Sequence, residues 1–572
     1  MIAMYDLVVR HGMVFDGSGA AGFEADIGIA SGKIAAIGQI AERGAEEIDA
    51  SGCIVTPGFI DLHTHYDGQA TWESRMQPSS GHGITTVIGG NCGVGFAPCR
   101  EADRETLVRL MEGVEDVPEI VMTEGLPWAW ESFDDFLDFL EGREFDIDLG
   151  VHVPHSPIRV FVMGERGANR EPATAEEIAQ MSALVEQGIR SGGFGISTSR
   201  LILHRTKAGD IAPTVGAAEA ELFGLADGLR HAGNGVFQLV PAVHGDAVEE
   251  FTLMAKIADR AERPLSFSLV ALNGQDASWR PYLSLLREPR AEASPIRAQV
   301  FPRPIGMMLG LDLSFHPFSL NPSYQALVQL PLKARVAEMR RPEVRARLLA
   351  EQPVSDNPFA LRMVDIDRPV YRLGDPPRYD PAASEEAGVL AAAEGISKAE
   401  YLYDMLLERD GNAILYAPAG NFINNSLDEA GALMRHPNTI LGLGDGGAHY
   451  GMICDASYPT YLLTRWVRDA AGNDAIALPD AIKALSHDNA VAIGLNDRGR
   501  LSVGLKADLN VIDFDRLTLH APHTVYDLPA GGRRLRQKAD GYVATVVSGT
   551  ITYRHGERTG ALPGRLVRAG RA

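Results

Sequence analysis

The sequence predicts an α/β fold: a TIM-like (β/α)8 barrel with a β-sandwich domain formed by both chain termini. Three observations carry that expectation. Short apolar strand candidates alternate with helices through the middle of the chain, both ends are β-rich, and the residues suited to chemistry stand where strands end.

The first fifty residues read as short strands from Tyr5 to Arg10, Ala25 to Ile29 and Lys33 to Ile37, the last two joined by the turn Ser31-Gly32. The last seventy return to that texture, from Ala507 to Asp513 and from Tyr542 to Val547 before the turn Ser548-Gly549. Strands far apart in sequence can share a sheet, so the two ends are expected to build one sandwich. Between them, Thr174 with Glu177 forms a capping box opening a helix to about Arg190, and Gly192-Gly193 ends it before the strand Gly195-Ile196-Ser197-Thr198-Ser199. Asp246 with Glu249 opens a later helix that leads to the run from Pro264 to Val270.

Eight strand candidates emerge: Phe59 to His65, Ile84 to Gly90, Leu149 to Val153, Ile196 to Ser199, Val236 to Val240, Leu265 to Val270, Ala298 to Phe301 and Ile440 to Gly444. Helices that deliver successive apolar strands imply parallel strands with right-handed crossovers, and eight of them close a barrel. The stretch from about 309 to 430 breaks the alternation and reads as an insertion, either a lid over the site or a surface elaboration. The expected organisation is residues 1–56 and 496–572 for the sandwich and residues 57–495 for the barrel.

Composition removes several classes of function. With 53 basic and 75 acidic residues the formal net charge is −22, which disfavours a nucleic-acid partner. No apolar run approaches the ~18 residues of a membrane span, and the start lacks a secretory pattern, so a cytoplasmic location is expected. The four cysteines, Cys53, Cys92, Cys99 and Cys454, are too few and too scattered for a disulfide framework in 572 residues. A homo-oligomer acting on a small molecule is the expected state.

The chemistry starts at His63 and His65. Strand side chains alternate, so residues 63 and 65 point to one side, and two imidazoles on one face begin a transition-metal site. Asn91-Cys92-Gly93 ends the second strand, His155 the third and Asp445 the eighth. In a barrel the first and eighth strands are neighbours, so Asp445 can join the two histidines on one ion, which would lower the pKa of a bound water toward about 7.

With these residues in hand, the chain resembles the amidohydrolase superfamily, and within it the D-aminoacylase, or N-acyl-D-amino-acid deacylase, branch. The resemblance rests on Pro57-Gly58-Phe59-Ile60-Asp61-Leu62-His63-Thr64-His65, on Gly83-Ile84-Thr85-Thr86-Val87 leading to Gly90-Asn91-Cys92-Gly93, on Asp445, and on the run from Arg498 to Leu509. It implies a divalent metal, zinc by preference, and hydrolysis of an amide bond. His63, His65 and Asp445 would be ligands at one position, and Cys92 would bind or bridge a second. Attack by a metal-bound hydroxide follows, with Asp445 shuttling the proton and His155 supporting the oxyanion.

The sequence departs from the branch in two places. Val240 and Leu269 stand about where histidines end the fifth and sixth strands, which favours one ion over two; His449, His204, His244 and His316 are the spare imidazoles, His449 first among them, as ligand or substrate contact. The segment from Tyr450 to Tyr458 lacks the His-Pro-Arg run that holds a substrate carboxylate, which leaves Arg200, Arg205 and Arg303 as candidate partners for that group. The expected activity is hydrolysis of an N-acyl (D-)amino acid. A cyclic amide or lactam hydrolase is the alternative within the superfamily, and an inactive barrel scaffold is the alternative outside enzymes.

Overall fold

The computed structural model describes residues 4–243, 245–272, 279–292 and 294–570. Its centre is a set of parallel strands in two ladders. One joins Phe59–Asp61, Ile84–Gly89 and Asp148–Val151; the other runs through Val153–Pro154, Gly195–Ser199, Val236–Val240, Leu265–Ser268, Ile296–Val300 and Thr439–Leu441. Asp148–Val151 and Val153–Pro154 are one strand interrupted at His152, so the array has eight members in the predicted order. Nearly every residue in them is buried, as expected of strands covered on both faces.

Helices return the chain between strands as the capping signals predict. Thr174 caps Ala175–Ser191 in a full capping box, and Gly192 closes that helix at φ 121°. The Asp246 side chain accepts from the backbone N–H groups of Val248 and Glu249 to open Ala247–Ala261. Among the described residues, no helix is long and apolar enough to cross a membrane.

The two ends of the chain share one nine-stranded mixed sheet. Ile54–Pro57 pairs antiparallel with Leu509–Ile512 and parallel with Tyr5–Val14, and Tyr542–Val547 continues the sheet beyond Leu509–Ile512. Leu7, Val9, Ile27, Val511 and Val546 are among the buried residues of its core.

The interruption of the array begins and ends in an antiparallel pair, Ile305–Leu309 with Leu415–Gly420, to which Tyr371–Arg372 adds a third strand. It therefore starts a few residues earlier than the sequence suggests. It also ends sooner, because Asp428–Met434 is already a helix of the array packed on Thr439–Leu441. This segment has a core of its own, built on residues such as Met339, Leu348, Tyr403 and Leu406.

The array and the terminal sheet are tied by Arg498, in the run that carries the family resemblance. Its guanidinium donates to Asp148, at the start of the third strand, and to Thr86 Oγ1 at 3.0 Å in the second. Lys506 Nζ lies 3.1 Å from the same Asp148 carboxylate and also pairs with Asp508. Burial pushes the Asp148 carboxyl up, but Lys506 and Arg498 outweigh it and hold it at about 2. A carboxyl depressed on folding contributes stability above its unfolded value near 4 and loses that contribution as the pH falls toward 2. Asp148→Ala, which removes a buried partner from Arg498 and Lys506 while Asp497 and Asp508 still pair with them, is expected to cost roughly 1.5–3 kcal/mol, read as a lower urea midpoint at unchanged m-value. In the wild type the midpoint should fall between pH 4 and 2 more steeply than in this variant.

Candidate metal centre

The first strand ends at Asp61, earlier than the sequence suggests, and His63 and His65 lie in the irregular stretch after a bend at Leu62. Asp61 fixes the start of that stretch: its Oδ1 accepts from His63 N at 3.1 Å. Backbone hydrogen bonds complete the junction, Asp445 N to His63 O at 3.0 Å and His65 N to Gly446 O at 2.7 Å.

His63 is oriented from behind. Its Nδ1 meets Gln299 Oε1 at 2.8 Å, and the Gln299 amide donates in turn to Ser266 Oγ at 3.2 Å. An acceptor on Nδ1 places the proton there and leaves Nε2 with a free lone pair, the arrangement a ligating histidine needs. Burial lowers the His63 pKa to about 4, so the ring is neutral near pH 7. Nε2 lies 3.2 Å from Cys92 Sγ and 3.7 Å from Asp445 Oδ1, and His65 Nε2 is 3.8 Å from that same oxygen. One ligand atom each from His63, His65 and Cys92 falls within a 4.8 Å cluster.

These residues fit a divalent cation. Both ring nitrogens of His65 are buried without a hydrogen-bond partner, a costly state unless something accepts their lone pair or proton. Burial pushes the Cys92 thiol well above its ordinary value and lifts the Asp445 carboxyl to about 7; a cation between them reverses both tendencies. Two nitrogens, a sulfur and an oxygen form a donor set suited to zinc. Cys92 and Asp445 have φ of 56° and 47°, a left-handed backbone that non-glycine residues adopt at a cost of order 1–3 kcal/mol each and that aims both side chains at the cluster.

Glu115 is the residue sequence reasoning missed. It ends the helix Arg104–Glu115, whose buried face comprises Leu107, Val108, Leu110, Met111 and Val114; Glu115 falls on that face. A carboxylate in phase with an apolar stripe was the available signal. Its Oε2 stands 3.5 Å from His65 Nε2 and 3.6 Å from His449 Nε2. Its backbone carbonyl accepts from His449 N, and burial is the first cause that drives its carboxyl well above the ordinary range.

His63, His65, Cys92, Glu115, Asp445 and His449 border a cavity of about 320 Å³. His204 lines it as well, with Nδ1 unpartnered. Its remaining wall is apolar, with Val240 and Leu269 from the fifth and sixth strands, Trp279 and Tyr282, and Met307 and Phe359 from the insertion. The insertion thus borders the site.

A profile of the Amidohydrolase family matches residues 46–553. The chain belongs to the amidohydrolase family. A D-aminoacylase of Alcaligenes xylosoxydans xylosoxydans is 37% identical over 195 residues, which cover 34% of this chain and 37% of that protein. An uncharacterized protein of Mycobacterium tuberculosis is 26% identical over 610 aligned positions, covering 99% of this chain and 95% of its own length. In three dimensions this amidohydrolase superposes on a D-aminoacylase described with a binuclear metal centre at a TM-score of 0.64 and 22% identity, over 99% of this chain and 100% of that one.

Several residues expected at the amidohydrolase site lie elsewhere. His155 opens the helix His155–Met163, and its two nitrogens are taken by Thr198 Oγ1 at 2.8 Å and Glu221 Oε1 at 2.9 Å, so it has none left for an oxyanion. Arg303 is fully buried against Asp455 and the Cys454 carbonyl with its guanidinium over the Tyr379 ring. Arg200 pairs with Glu250 at 2.8 Å, and Arg205 donates to Gly209 O; none of these arginines lines the cavity. His316 is buried inside the insertion, edge-on to Tyr324. His244 lies outside the described residues.

Gln299→Leu removes the acceptor that holds the His63 tautomer while leaving every donor in place. It is expected to weaken metal binding by about 10–100-fold, measured by competition with a chromophoric chelator. Unchanged affinity would show that Gln299 plays no part in orienting the ring.

Proposed function

We propose that this amidohydrolase is a metal-dependent hydrolase of a carbon–nitrogen bond in a small N-acylated molecule. One observation carries the reading: His63, His65, Cys92 and Asp445 converge at the edge of a largely apolar cavity. These four would hold one divalent ion, zinc by their donor set. When bound, such an ion polarises an amide carbonyl and brings the pKa of water toward neutrality.

The side chains supply the rest. Asp445, which lines the cavity, accepts a proton from the attacking water and delivers it to the leaving nitrogen. Gln299 keeps His63 in one tautomer. Phe359, Met307, Trp279 and Tyr282 cover apolar parts of the substrate and exclude water. The hydrogen bonds joining the first and last strand exits support a closed (β/α)8 barrel over residues 57–495, with residues 1–56 and 496–572 as its β-sandwich.

The names of the relatives favour an N-acyl-D-amino acid. A second reading, a neutral or cyclic amide, is favoured by the cavity itself: among the described residues lining it there is no arginine or lysine. The experiment compares N-acyl-D-amino acids, their L-enantiomers, their C-terminal carboxamides and cyclic amides on the zinc-loaded protein. We expect turnover of the acyl amides, with the D-acid and its carboxamide within about tenfold in kcat/KM, since a charge-assisted contact worth ~1.5–3 kcal/mol is missing. A hundredfold preference for the acid would refute the neutral reading, and no turnover of any amide would refute the hydrolase. Asp445→Asn should lower kcat by about 10²–10⁴ in protein whose zinc content is verified.

A further inference from the structure

Ser197 lies in the fourth strand, Gly195–Ser199, and is fully buried, yet its hydroxyl bonds to the exit of the second strand. It donates to the Gly90 carbonyl and accepts from Gly93 N at 3.1 Å. A hydroxyl carries one donor and two acceptor sites, so this single group pairs both ends of Gly90-Asn91-Cys92-Gly93 at once. Enclosed by that clamp is Cys92, whose φ of 56° lies in the left-handed region that non-glycine residues seldom occupy.

The turn is supported on both sides. Gly93 O accepts from Ser156 N at 2.8 Å, and a Cβ on Gly93 would lie 2.9 Å from Thr198 Cα. A Cβ on Gly90 would lie 2.4 Å from the His152 carbonyl oxygen. The two glycines thus let the turn press against the third and fourth strands, close enough for one serine to reach both its ends. Asn91 ties the same turn to the histidines: its Nδ2 donates to Ile88 O at 2.8 Å and to Thr64 O at 3.2 Å, and Thr64 stands between His63 and His65.

We propose that Ser197 is a positioning residue that holds Cys92 Sγ on the ion shared with His63, His65 and Asp445. The inference rests on the reading of Cys92 as a metal ligand. Strain in the Cys92 backbone persists only where its surroundings over-determine it, and the hydroxyl supplies two of the bonds that do so. Without it the buried Gly90 carbonyl and Gly93 N–H each lose a partner, and the turn relaxes to recover one elsewhere. Sγ is then released from its place 3.2 Å from His63 Nε2.

Cobalt(II) reports the sulfur directly, because a bound thiolate gives a near-ultraviolet charge-transfer band that nitrogen and oxygen ligands do not. Wild type, Cys92→Ser, Ser197→Ala, Ser197→Thr and Ser197→Val are stripped with chelator, loaded with Co2+ and compared. Zinc affinity is measured by chelator competition, and far-ultraviolet circular dichroism checks the fold. Wild type and Ser197→Thr are expected to show the band and Cys92→Ser none. Ser197→Ala and Ser197→Val should lose at least about half of its intensity and bind zinc about 10–100-fold more weakly. A full band and unchanged affinity in Ser197→Ala would overturn the inference while leaving Cys92 a ligand. So would equal losses in Ser197→Thr and Ser197→Val, which differ little in shape and chiefly in the hydroxyl, because the effect would then trace to packing. No band in the wild type, or a band that survives Cys92→Ser, would overturn the reading of Cys92 as a ligand and the inference with it.

Discussion

The site depends on a junction of two backbone hydrogen bonds, His65 N to Gly446 O and Asp445 N to His63 O, which bring together residues some 380 positions apart in the chain. Asp61 reinforces it by accepting from His63 N. The junction explains the glycines around Asp445. A Cβ on Gly444 would lie 2.0 Å from Asp61 Oδ2, and one on Gly447 would lie 2.7 Å from the His65 carbonyl carbon. No side chain can stand at either place without opening the contact that brings Asp445 beside the two histidines.

Electrostatics set the second constraint. The cavity gathers imidazoles, a thiol and two carboxyl groups that are all buried or nearly so, and no described arginine or lysine lines it. Without a cation the carboxyls and the thiol are pushed toward their protonated forms, as burial does to Asp445 and Cys92. A divalent cation bound among these groups would reverse both shifts. The strongest cationic side chains are spent elsewhere: Arg498 and Lys506 on Asp148, Arg303 on Asp455, and Arg159 on Glu221.

The sequence made legible what depends on strand order. Apolar runs between capped helices place His63, His65, Cys92 and Asp445 at strand exits, and alternation of helix and strand places those exits on one side. It did not make legible where a side chain points once it has left its strand. His155, Arg200 and Arg303 follow strands as expected, yet each is claimed by a carboxylate 66, 50 or 152 residues away, Glu221, Glu250 and Asp455. Such pairings have no local signature. Glu115 was hidden for the converse reason: it belongs to a helix, and strand-end logic does not search helices.

The two ends of the parallel array have separate duties. At the amino end of the strands, Arg498 and Lys506 clamp Asp148 and bind the array to the terminal sheet, far along the strands from the cavity. At the carboxyl end, the backbone is held in costly left-handed conformations at Cys92, Leu443, Asp445 and His449. Strain of that kind persists only where the surrounding structure over-determines it. Here the surrounding structure includes the insertion, which packs on its own core and lends Met307 and Phe359 to the cavity wall. Because that core is distinct from the core of the array, side chains facing the cavity from the insertion can change with little cost to the strands that lead into His63, His65, Cys92 and Asp445, and this is the part of the wall where substrate preference can vary most freely.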